Sequence, residues 1–243
     1  MPPLSVVIPA RNEAGNIGAL IDEIVAALAP LGSFEVIVVD DGSTDDTARE
    51  LAVKAVTVPS LRVLRHPVSA GQSAAIHSGV RAAKGEIVCM LDGDGQNPPA
   101  FLPGLISPLQ RPGAESVGLV AGQRQKRQDT WSRKAASRFA NGLRSWLLND
   151  GTRDTGCGLK AFRRDAYLAL PYFDHMHRYL PALFARDGWT VELVDVGHRP
   201  RGAGRSNYSN YQRALVGIFD LMGVMWLIRR RKKSAPVALE GQS

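Results

Sequence analysis

The segment IVCMLDGDGQ, residues 87–96, decides the fold class, because five apolar residues lead directly into two carboxylates. A short apolar run bounded by turn residues is typical of a buried strand. Asp92 and Asp94 then leave this strand at its carboxyl end, and Gln96 follows two residues later. Mg²⁺ and Mn²⁺ prefer such oxygen ligands and share them with substrate phosphates. The segment predicts a metal site for a nucleotide diphosphate, with a solvated Asp-Gly turn as the alternative.

A second acidic segment, DDGSTDD at residues 40–46, follows another predicted strand at residues 35–39. In open α/β sheets, ligands bind outside the carboxyl ends of the strands. Both acidic loops are therefore expected to face one crevice. Ser43 is expected to cap a helix that starts near Thr44, and the two aspartates after it suit the positive end of the helix dipole. Asp41 is the ligand candidate of this segment.

Segments of strand length alternate with segments of helical periodicity along the chain. The predicted strands are residues 4–9, 35–40, 61–65, 87–91, 117–121 and 191–196. The predicted helices are residues 16–28, 44–55, 73–83, 100–109, 131–148 and 175–186. Alternation of this kind predicts an α/β fold with a mostly parallel sheet covered by helices on both faces. A basic, glycine-containing loop is expected at residues 199–208.

Length and cysteine content favour one intracellular α/β domain with a C-terminal extension. The 243 residues, 44% of them hydrophobic, are enough to bury a full core. Cys89 and Cys157 have no spacing typical of a disulfide framework or a zinc site, which favours a reducing compartment. Residues 1–3 carry no charged leader before the first strand, so the active face is expected to be cytoplasmic.

The formal charge of +7 is distributed unevenly along the chain. Residues 1–121 carry 8 Lys and Arg against 13 Asp and Glu, a net charge of −5, whereas residues 122–243 carry 22 against 10, a net charge of +12. This asymmetry predicts an anionic partner for the second half. Aromatic residues make up only 7% of the chain, and no nucleic-acid-binding module is recognised. An anionic membrane surface or a phosphorylated substrate is therefore expected, rather than nucleic acid.

Residues 214–228 are nearly all apolar, and five cations follow at residues 229–233. A membrane span needs roughly 20 apolar residues, whereas an amphipathic helix at the membrane surface can be shorter and prefers cationic flanks. We expect residues 210–233 to form an interfacial, membrane-associated helix with a basic tail, because each cation near an anionic leaflet adds about 1 kcal/mol. Residues 234–243 are expected to be a disordered tail. The alternative is a helix that packs on the domain.

Four motifs, in this order along the chain, resemble those of family 2 glycosyltransferases. They are VIPARNE at residues 7–13, VDDGSTD at 39–45, DGDGQNPP at 92–99 and GLKAFR at 158–163. The resemblance covers nearly the whole chain and is strongest to the dolichol-phosphate mannose synthase group of polyisoprenyl-phosphate glycosyltransferases. It implies a GT-A-type nucleotide-diphospho-sugar transferase fold over residues 1–209. Residues 1–121 would form the nucleotide-sugar and metal half, and residues 122–209 the acceptor half.

The resemblance also implies roles for individual residues, carried over motif by motif. The nucleotide contacts would be Pro9, Ala10, Arg11, Glu13, Asp41 and Asp92, and the Mg²⁺ or Mn²⁺ ligands would be Asp92, Asp94 and Gln96. The acceptor phosphate would be bound by Arg124, Arg133, Ser137, Arg138 and Arg205. The candidate catalytic residues are Asp94, Arg124 and Arg205, together with Asp154, which is suspected because it opens the glycine-rich loop. Four residues depart from those common in the group: Arg11, Gly93, Asn97 and Asn207.

The expected activity is inverting, metal-dependent transfer of a sugar from GDP-mannose or a UDP-sugar to a polyisoprenyl phosphate at the cytoplasmic membrane face. A phosphate acceptor is largely ionised at neutral pH and needs no strong general base. A hydroxyl acceptor would need one, and Asp154 is then the candidate, unless it only caps or hydrogen-bonds its own loop. A non-catalytic membrane-binding scaffold is a further alternative. Attachment is expected to be peripheral, with a membrane-embedded protein or a second copy of the chain as candidate partners.

Overall fold

The structure is a computed structural model, and it describes residues 4–124, 148, 151–152, 154, 156–199 and 210–231. The strands are β1 (Leu4–Ala10), β2 (Phe34–Asp41), β3 (Leu61–His66), β4 (Ile87–Met90), β5 (Val117–Arg124), β6 (Lys160–Arg163) and β7 (Thr190–Val196). Within the described residues they form one seven-stranded sheet in the order β3-β2-β1-β4-β6-β5-β7. The sheet is mostly parallel, as predicted, and β6 is antiparallel to both of its neighbours.

Helices cover both faces of the sheet. They are α1 (Ile17–Leu28), α2 (Thr47–Thr57), α3 (Gln72–Ala82), α4 (Leu102–Gln110), α5 (Arg164–Leu168), α6 (Leu180–Arg186) and α7 (Asn210–Arg229). Strand β1 shows why two layers are needed, because all seven of its residues are buried. Val6 and Ile8 pack into the core cluster that contains α1 and α4, whereas Val7 packs into the cluster that contains α3 and α6. Successive side chains of a strand point to opposite faces, so one apolar strand serves both cores.

Most predicted elements are present, and the exceptions have local causes. The helix expected from Thr44 begins at Thr47, and the cap expected from Ser43 is wrong. Ser43 instead accepts the backbone N–H of Asn12 at 3.0 Å, so its hydroxyl joins two loops rather than ending a helix. The helix predicted at residues 175–186 is shorter, since His175 has a left-handed φ of 64° and α6 starts only at Leu180. Strand β6 and helix α5 were not predicted.

The predicted C-terminal helix is present as α7 and contacts the domain through one face. Val224 is fully buried, and neighbouring apolar side chains pack with it against the core cluster of α3 and α6. The Tyr179 hydroxyl donates to the Gly217 carbonyl at 3.3 Å, and Arg186 Nε donates to the Leu227 carbonyl at 3.0 Å. None of the described helices combines the length and the apolarity that crossing a membrane requires. Packing on the domain was the alternative considered for this helix, and membrane association stays a prediction.

The domain boundaries also stay predictions. The sheet continues across the expected division at residues 121 and 122, because β5 runs through it and both β6 and β7 belong to the second part of the chain. The helix expected at residues 131–148 lies outside the described residues, except for Leu148, which is helical and buried. Most of the basic loop at residues 199–208 and the tail at residues 234–243 also lie outside them.

Candidate functional site

The strand order creates a crevice at the carboxyl ends of β1 and β4. Strand β1 lies between β2 and β4, so the chain turns to opposite sides of β1 at this edge, and such switch points are where open α/β sheets bind ligands. The loop after β4 meets the loop after β1 closely. A Cβ on Gly93 would lie 3.1 Å from the Pro9 carbonyl oxygen and 3.4 Å from Glu13 Cγ. Glycine at position 93 therefore allows two loops to touch. One is the predicted metal loop, residues 92–97, and the other is the predicted nucleotide loop, residues 9–13.

Asp92 and Asp94 stand together in this crevice. Asp92 Oδ1 accepts a hydrogen bond from Gln72 Nε2 at 2.7 Å, and its Oδ2 accepts one from Asn97 Nδ2 at 3.4 Å. Asp94 Oδ1 accepts the backbone N–H of Gln96 at 3.0 Å. Burial, and then the charge of Asp94, raise the pKa of Asp92 above its usual range. A carboxylate whose charge is opposed by burial and by a neighbouring carboxylate is suited to bind a cation.

The donor set fits a divalent metal that shares its coordination shell with a substrate. Among the described residues there is no group of three or more His, Cys, Asp or Glu side chains arranged around a metal position. A pair of carboxylates is nevertheless what Mg²⁺ needs when phosphate and water oxygens complete its shell. Asp94 adds a second negative charge beside Asp92, which a shared cation would offset. Metal ligation by Asp92, Asp94 and Gln96 stays a prediction.

The GLKAFR motif packs directly against this pair, a relation that sequence reasoning missed. A Cβ on Gly158 would lie 2.2 Å from Asp92 Oδ2, so only glycine leaves room for the carboxylate in this position. Two residues on, Lys160 is buried and its Nζ donates to the Cys157 carbonyl. Burial lowers the pKa of Lys160, and its charge in turn opposes the rise in the pKa of Asp92. The motif supplies both the space and part of the countercharge for Asp92.

Asp41, the nucleotide candidate after β2, is held by its own chain. Its Oδ1 accepts hydrogen bonds from His66 Nδ1 at 2.7 Å and Ala70 N at 2.8 Å, and its Oδ2 accepts from Ser69 Oγ at 2.7 Å and Gly71 N at 2.9 Å. Burial would raise the pKa of Asp41, but these hydrogen bonds outweigh burial and lower it. Asp41 therefore orders the loop that leads into α3. Its role as a nucleotide contact stays a prediction.

Arg124 and Asp154 form a bidentate ion pair. Arg124 Nε donates to Asp154 Oδ2 at 2.5 Å, and Nη2 donates to Oδ1 at 2.9 Å. The side chains are only 13% and 15% exposed, and the hydrogen bond to Asp154 raises the pKa of Arg124. The same carboxylate accepts the N–H of Gly156 at 3.1 Å. Hydrogen bonding of its loop, one of the two roles considered for Asp154, is therefore present.

Comparison with known proteins identifies the family. A model described as glycosyl transferase family 2 matches residues 5–170, more than half of the chain. The chain belongs to glycosyl transferase family 2. The family prediction is confirmed, and so is the GT-A-type fold: the glucosyl-3-phosphoglycerate synthase of Mycobacterium tuberculosis, in complex with Mn²⁺, UDP and phosphoglyceric acid, superimposes with a TM-score of 0.68 at 23% identity over 96% of this chain and 80% of that chain.

Two curated relatives within this family act on polyprenyl phosphates by name. An undecaprenyl-phosphate 4-deoxy-4-formamido-L-arabinose transferase of Edwardsiella ictaluri is 35% identical over 229 residues, which is 92% of this chain and 66% of the relative. A dodecaprenyl-phosphate galacturonate synthase of Rhizobium johnstonii is 32% identical over 237 residues, or 95% of this chain and 68% of the relative. This chain thus spans about two thirds of the length of each relative.

The remaining predicted site residues of this family 2 member fall into two groups. Pro9 and Ala10 end β1 at the crevice, and Glu13 contacts Gly93 in the loop that follows, whereas Arg11 is exposed. The acceptor-phosphate candidates other than Arg124 lie outside the described residues; these are Arg133, Ser137, Arg138 and Arg205. The structure therefore brings Pro9, Ala10 and Glu13 against the loop that carries Asp92 and Asp94, and it describes one of the acceptor arginines.

Gln72 is a second contact of Asp92 that sequence reasoning missed. It is the first residue of α3 and reaches Asp92 across 20 residues of sequence. A glutamine at the start of a helix carries no signal of its own, because many such residues are solvent-exposed. The adjacent Gly71, with a φ of 93°, would have indicated a tight turn at this point but not the contact that the turn creates.

Proposed function

We propose that this chain transfers a sugar from a nucleotide diphosphate to a polyisoprenyl phosphate, with inversion at the anomeric carbon and with Mg²⁺ or Mn²⁺ bound. The observation that carries the proposal is the Asp92–Asp94 pair at the switch point of the sheet, against the loop after β1. The names of two curated relatives support the acceptor class. The donor is a GDP- or UDP-sugar, and the relatives' sugars make uronic acids and amino-pentose derivatives candidates beside mannose.

Charge control is the main chemical task of the site. A divalent cation held by Asp92 and Asp94 would neutralise the charge that develops on the departing diphosphate. Gln72 and Asn97 orient the Asp92 carboxylate through its two oxygens. The acceptor phosphate oxygen forms a bond to the anomeric carbon, while the bond from that carbon to the diphosphate oxygen breaks and its electron pair leaves with the nucleotide. Because the attacking phosphate is already ionised near neutral pH, no residue needs to remove a proton.

Arginines would receive the acceptor phosphate. Arg124 ends β5 at the carboxyl edge, and its guanidinium is oriented by Asp154. A guanidinium has five N–H donors, so a bidentate pair with one carboxylate leaves others for a phosphate. The carried-over residues Arg133, Ser137, Arg138 and Arg205 would complete this acceptor site. Asp154 is then a positioning residue for Arg124.

The outward face of α7 supports attachment to an anionic membrane surface. Four large apolar side chains on α7 are exposed: Ile218 by 55%, Phe219 by 69%, Met222 by 51% and Trp226 by 60%. Exposed arginines follow at residues 229–231. An apolar stripe with a basic end matches the two components of interfacial binding, burial of apolar area and attraction to anionic lipid. We propose that this face lies on the cytoplasmic leaflet and brings the site to its lipid acceptor.

A hydroxyl acceptor with Asp154 as base is the second candidate for the acceptor class. Its support is the position of Asp154 at the entrance to the glycine-rich loop. The bidentate contact counts against it, because both oxygens of Asp154 accept hydrogen bonds from Arg124, whereas a base has to reach the acceptor hydroxyl. A non-catalytic scaffold would keep the fold and the basic end of α7 but would bind no nucleotide. All three alternatives differ in what they bind and what they make.

The test is a donor panel followed by transfer. Thermal stabilisation by GDP and UDP sugars is measured with and without Mn²⁺, and each donor that binds is then incubated with undecaprenyl phosphate or dolichyl phosphate in vesicles. We expect a lipid-linked sugar from at least one donor and none from Asp94→Asn. Donor binding without any lipid product overturns the acceptor class, and transfer to a hydroxyl acceptor in its place favours the second candidate. Vesicle binding without nucleotide binding favours the scaffold.

The membrane contact has its own test. Vesicles of phosphatidylcholine with and without phosphatidylglycerol are sedimented with the wild type, with Phe219→Glu plus Met222→Glu, and with Val53→Glu plus Val56→Glu as a control. Val53 and Val56 lie on α2, are 65% and 84% exposed, and place an equal charge change away from α7. We expect the α7 variant to lose vesicle binding and the α2 control to retain it. Equal binding by all three proteins would contradict the assignment of this face.

A further inference from the structure

Arg199 joins three parts of the molecule that are far apart in sequence. Its guanidinium Nε donates to the carbonyl of Gly95, and its backbone N–H donates to the carbonyl of Gln96 at 3.0 Å. Its Nη2 donates to Glu23 Oε1 on α1 at 3.0 Å. Arg199, three residues after the end of β7, thus binds two consecutive carbonyls of the metal loop. It is also paired with a helix that packs on the core.

The same segment packs tightly on the other end of that loop. A Cβ on Gly197 would lie 2.9 Å from Phe101 Cε2, so the chain leaving β7 lies directly against the turn that follows the loop. Gly95 has a φ of 70°, and its Cβ position is 3.5 Å from Arg199 Nη2. A left-handed glycine allows the loop to turn its carbonyl toward the arginine.

The two carbonyls that Arg199 binds lie on either side of Gln96, one of the predicted metal ligands. Gly95 separates Asp94 from Gln96, and the N–H of Gln96 donates to Asp94 Oδ1 at 3.0 Å. The peptide unit before Gln96 is therefore held by Asp94 and by the Arg199 guanidinium, and the peptide unit after it is held by the Arg199 backbone N–H. Metal affinity depends strongly on groups that orient the ligands without touching the metal.

We propose that Arg199 is a positioning residue that holds the metal loop in its metal-binding conformation. This inference rests on the proposed function, because it assumes that a metal and a nucleotide diphosphate bind at Asp92 and Asp94. The guanidinium acts through the Gly95 carbonyl, and Glu23 keeps it in place, while the backbone N–H of Arg199 binds the Gln96 carbonyl. The planar fork of an arginine makes contacts to the loop and to Glu23 at once, which the single ammonium of a lysine cannot reproduce.

Arg111 offers a matched control for Arg199, because it is also an arginine whose ion pair joins a helix to the β7 region. Arg111 at the end of α4 pairs with Glu192 of β7, with Nη1 at 3.3 Å from Oε2. This pair is also partly exposed and joins a helix to β7, as the Arg199–Glu23 contact joins a helix to the chain after β7. Within the part of the chain that the structure describes, the Arg111 side chain bonds Glu192 and none of residues 92–97. Arg111→Ala removes the same charge without touching the metal loop.

The experiment measures Mn²⁺ binding directly. Free Mn²⁺ is followed by electron paramagnetic resonance while the 243-residue chain is titrated, with UDP in one arm and GDP in the other. The proteins are the wild type, Arg199→Ala, Arg199→Lys, Glu23→Gln and Arg111→Ala. Urea unfolding of each variant reports whether it is folded, and the Mn²⁺ dependence of sugar transfer separates half-saturation from the maximal rate.

We expect Arg199→Ala to weaken Mn²⁺ binding about 10-fold or more, within the range known for groups that orient metal ligands. Arg199→Lys should recover part of this loss, Glu23→Gln should lose less, and Arg111→Ala should bind as the wild type does. The Mn²⁺ concentration for half-maximal transfer should rise more than the maximal rate falls.

Two results would overturn the inference while leaving the proposed function intact. One is wild-type Mn²⁺ affinity in Arg199→Ala, and the other is an equal loss in Arg199→Ala and Arg111→Ala, which would indicate a general effect of removing a surface arginine. Should Arg199→Ala not fold, the lysine and Glu23→Gln variants decide in its place. A wild type that binds no Mn²⁺ with either nucleotide overturns the proposed function and this inference with it.

Discussion

The amino edge and the carboxyl edge of the sheet each hold an enclosed carboxylate, buried Glu35 and partly buried Asp92, and the pKa values of the two are shifted in opposite directions. At the amino edge, Glu35 of β2 accepts Ser5 Oγ at 2.7 Å and Lys84 N at 2.6 Å on one oxygen, and Arg62 Nη1 at 2.6 Å on the other. Burial would raise the pKa of Glu35, but these partners outweigh it and the pKa is lowered. At the carboxyl edge, burial and the charge of Asp94 raise the pKa of Asp92.

The difference separates a structural carboxylate from a binding one. Glu35 is compensated within the chain, so ionisation of Glu35 stabilises the fold. Asp92 also has hydrogen-bond donors, but a second carboxylate stands beside it and burial dominates. Lys160 offsets part of that charge, and an added cation would offset more of it. Asp41 lies at the carboxyl edge by position but resembles Glu35 in its hydrogen bonding, so position alone does not identify a ligand.

The largest effect is expected from neutralising the binding carboxylate. Asp94→Asn keeps an oxygen for the N–H of Gln96 but removes a charge from the proposed metal site. Because metal stabilisation of a leaving group is worth several kcal/mol, transfer should fall by about 100-fold or more. Mn²⁺ binding should be lost, whereas thermal stability without metal should be unchanged or higher, since a repulsion is removed. An Asp94→Asn variant that is unfolded, or that still binds Mn²⁺, would contradict the assignment of Asp94 as a binding carboxylate rather than a structural one.

The next effect is expected from filling the space beside Asp92. Gly158→Ala places a Cβ 2.2 Å from the present position of Asp92 Oδ2, so the carboxylate has to move. Mn²⁺ affinity should fall by about 10- to 100-fold. Gly104→Ala on α4 is the control, because a Cβ there has nothing within 4 Å. If both variants bind Mn²⁺ equally well, the position of Asp92 does not limit metal binding.

Neutralising Glu35, the structural carboxylate, should lower the stability of the fold and leave Mn²⁺ binding unchanged. Glu35→Gln leaves buried donors on Ser5, Arg62 and Lys84 facing an uncharged amide. The free energy of unfolding, measured with urea, should fall by about 1–3 kcal/mol, the range for a disrupted buried polar contact. Mn²⁺ affinity per folded molecule should not change. Loss of Mn²⁺ binding with intact stability would reverse the roles assigned to the two edges.

The smallest effect is expected from neutralising Asp41. It tests whether Asp41, like Glu35, is a carboxylate that stabilises the fold. The pKa of Asp41 is lowered in the folded state, so its ionised form stabilises the fold above the unfolded pKa of about 3.9, and this contribution disappears as the pH falls through the folded pKa. Asp41→Asn should therefore be less stable than the wild type at pH 7, by about 1 kcal/mol. The two unfolding curves should approach each other below about pH 4. A difference that grows on acidification would contradict the lowered pKa.

Local patterns predicted those parts of the fold that depend on short-range sequence. The first four parallel strands and the helices between them lie within a few residues of their predicted bounds, because apolar runs and helical periodicity report burial directly. Strand β6 escaped prediction because it has only four residues and contains Lys160 and Arg163. Its place depends on pairing with β4 and β5, which are distant in sequence.

The site also divides into features that local sequence predicts and features that depend on tertiary packing. The sequence by itself determined that Asp92 and Asp94 follow a buried strand and stand at the ligand-binding edge of a parallel sheet, since adjacent residues and the strand pattern suffice for that. Only the tertiary structure decided which residues orient them: Gln72 across 20 residues, and Arg199 across 104 residues from Gly95. It also decided that Asp41 is held by its own chain. Such partners meet only when separate strands and helices pack, and no local pattern of residues encodes that meeting.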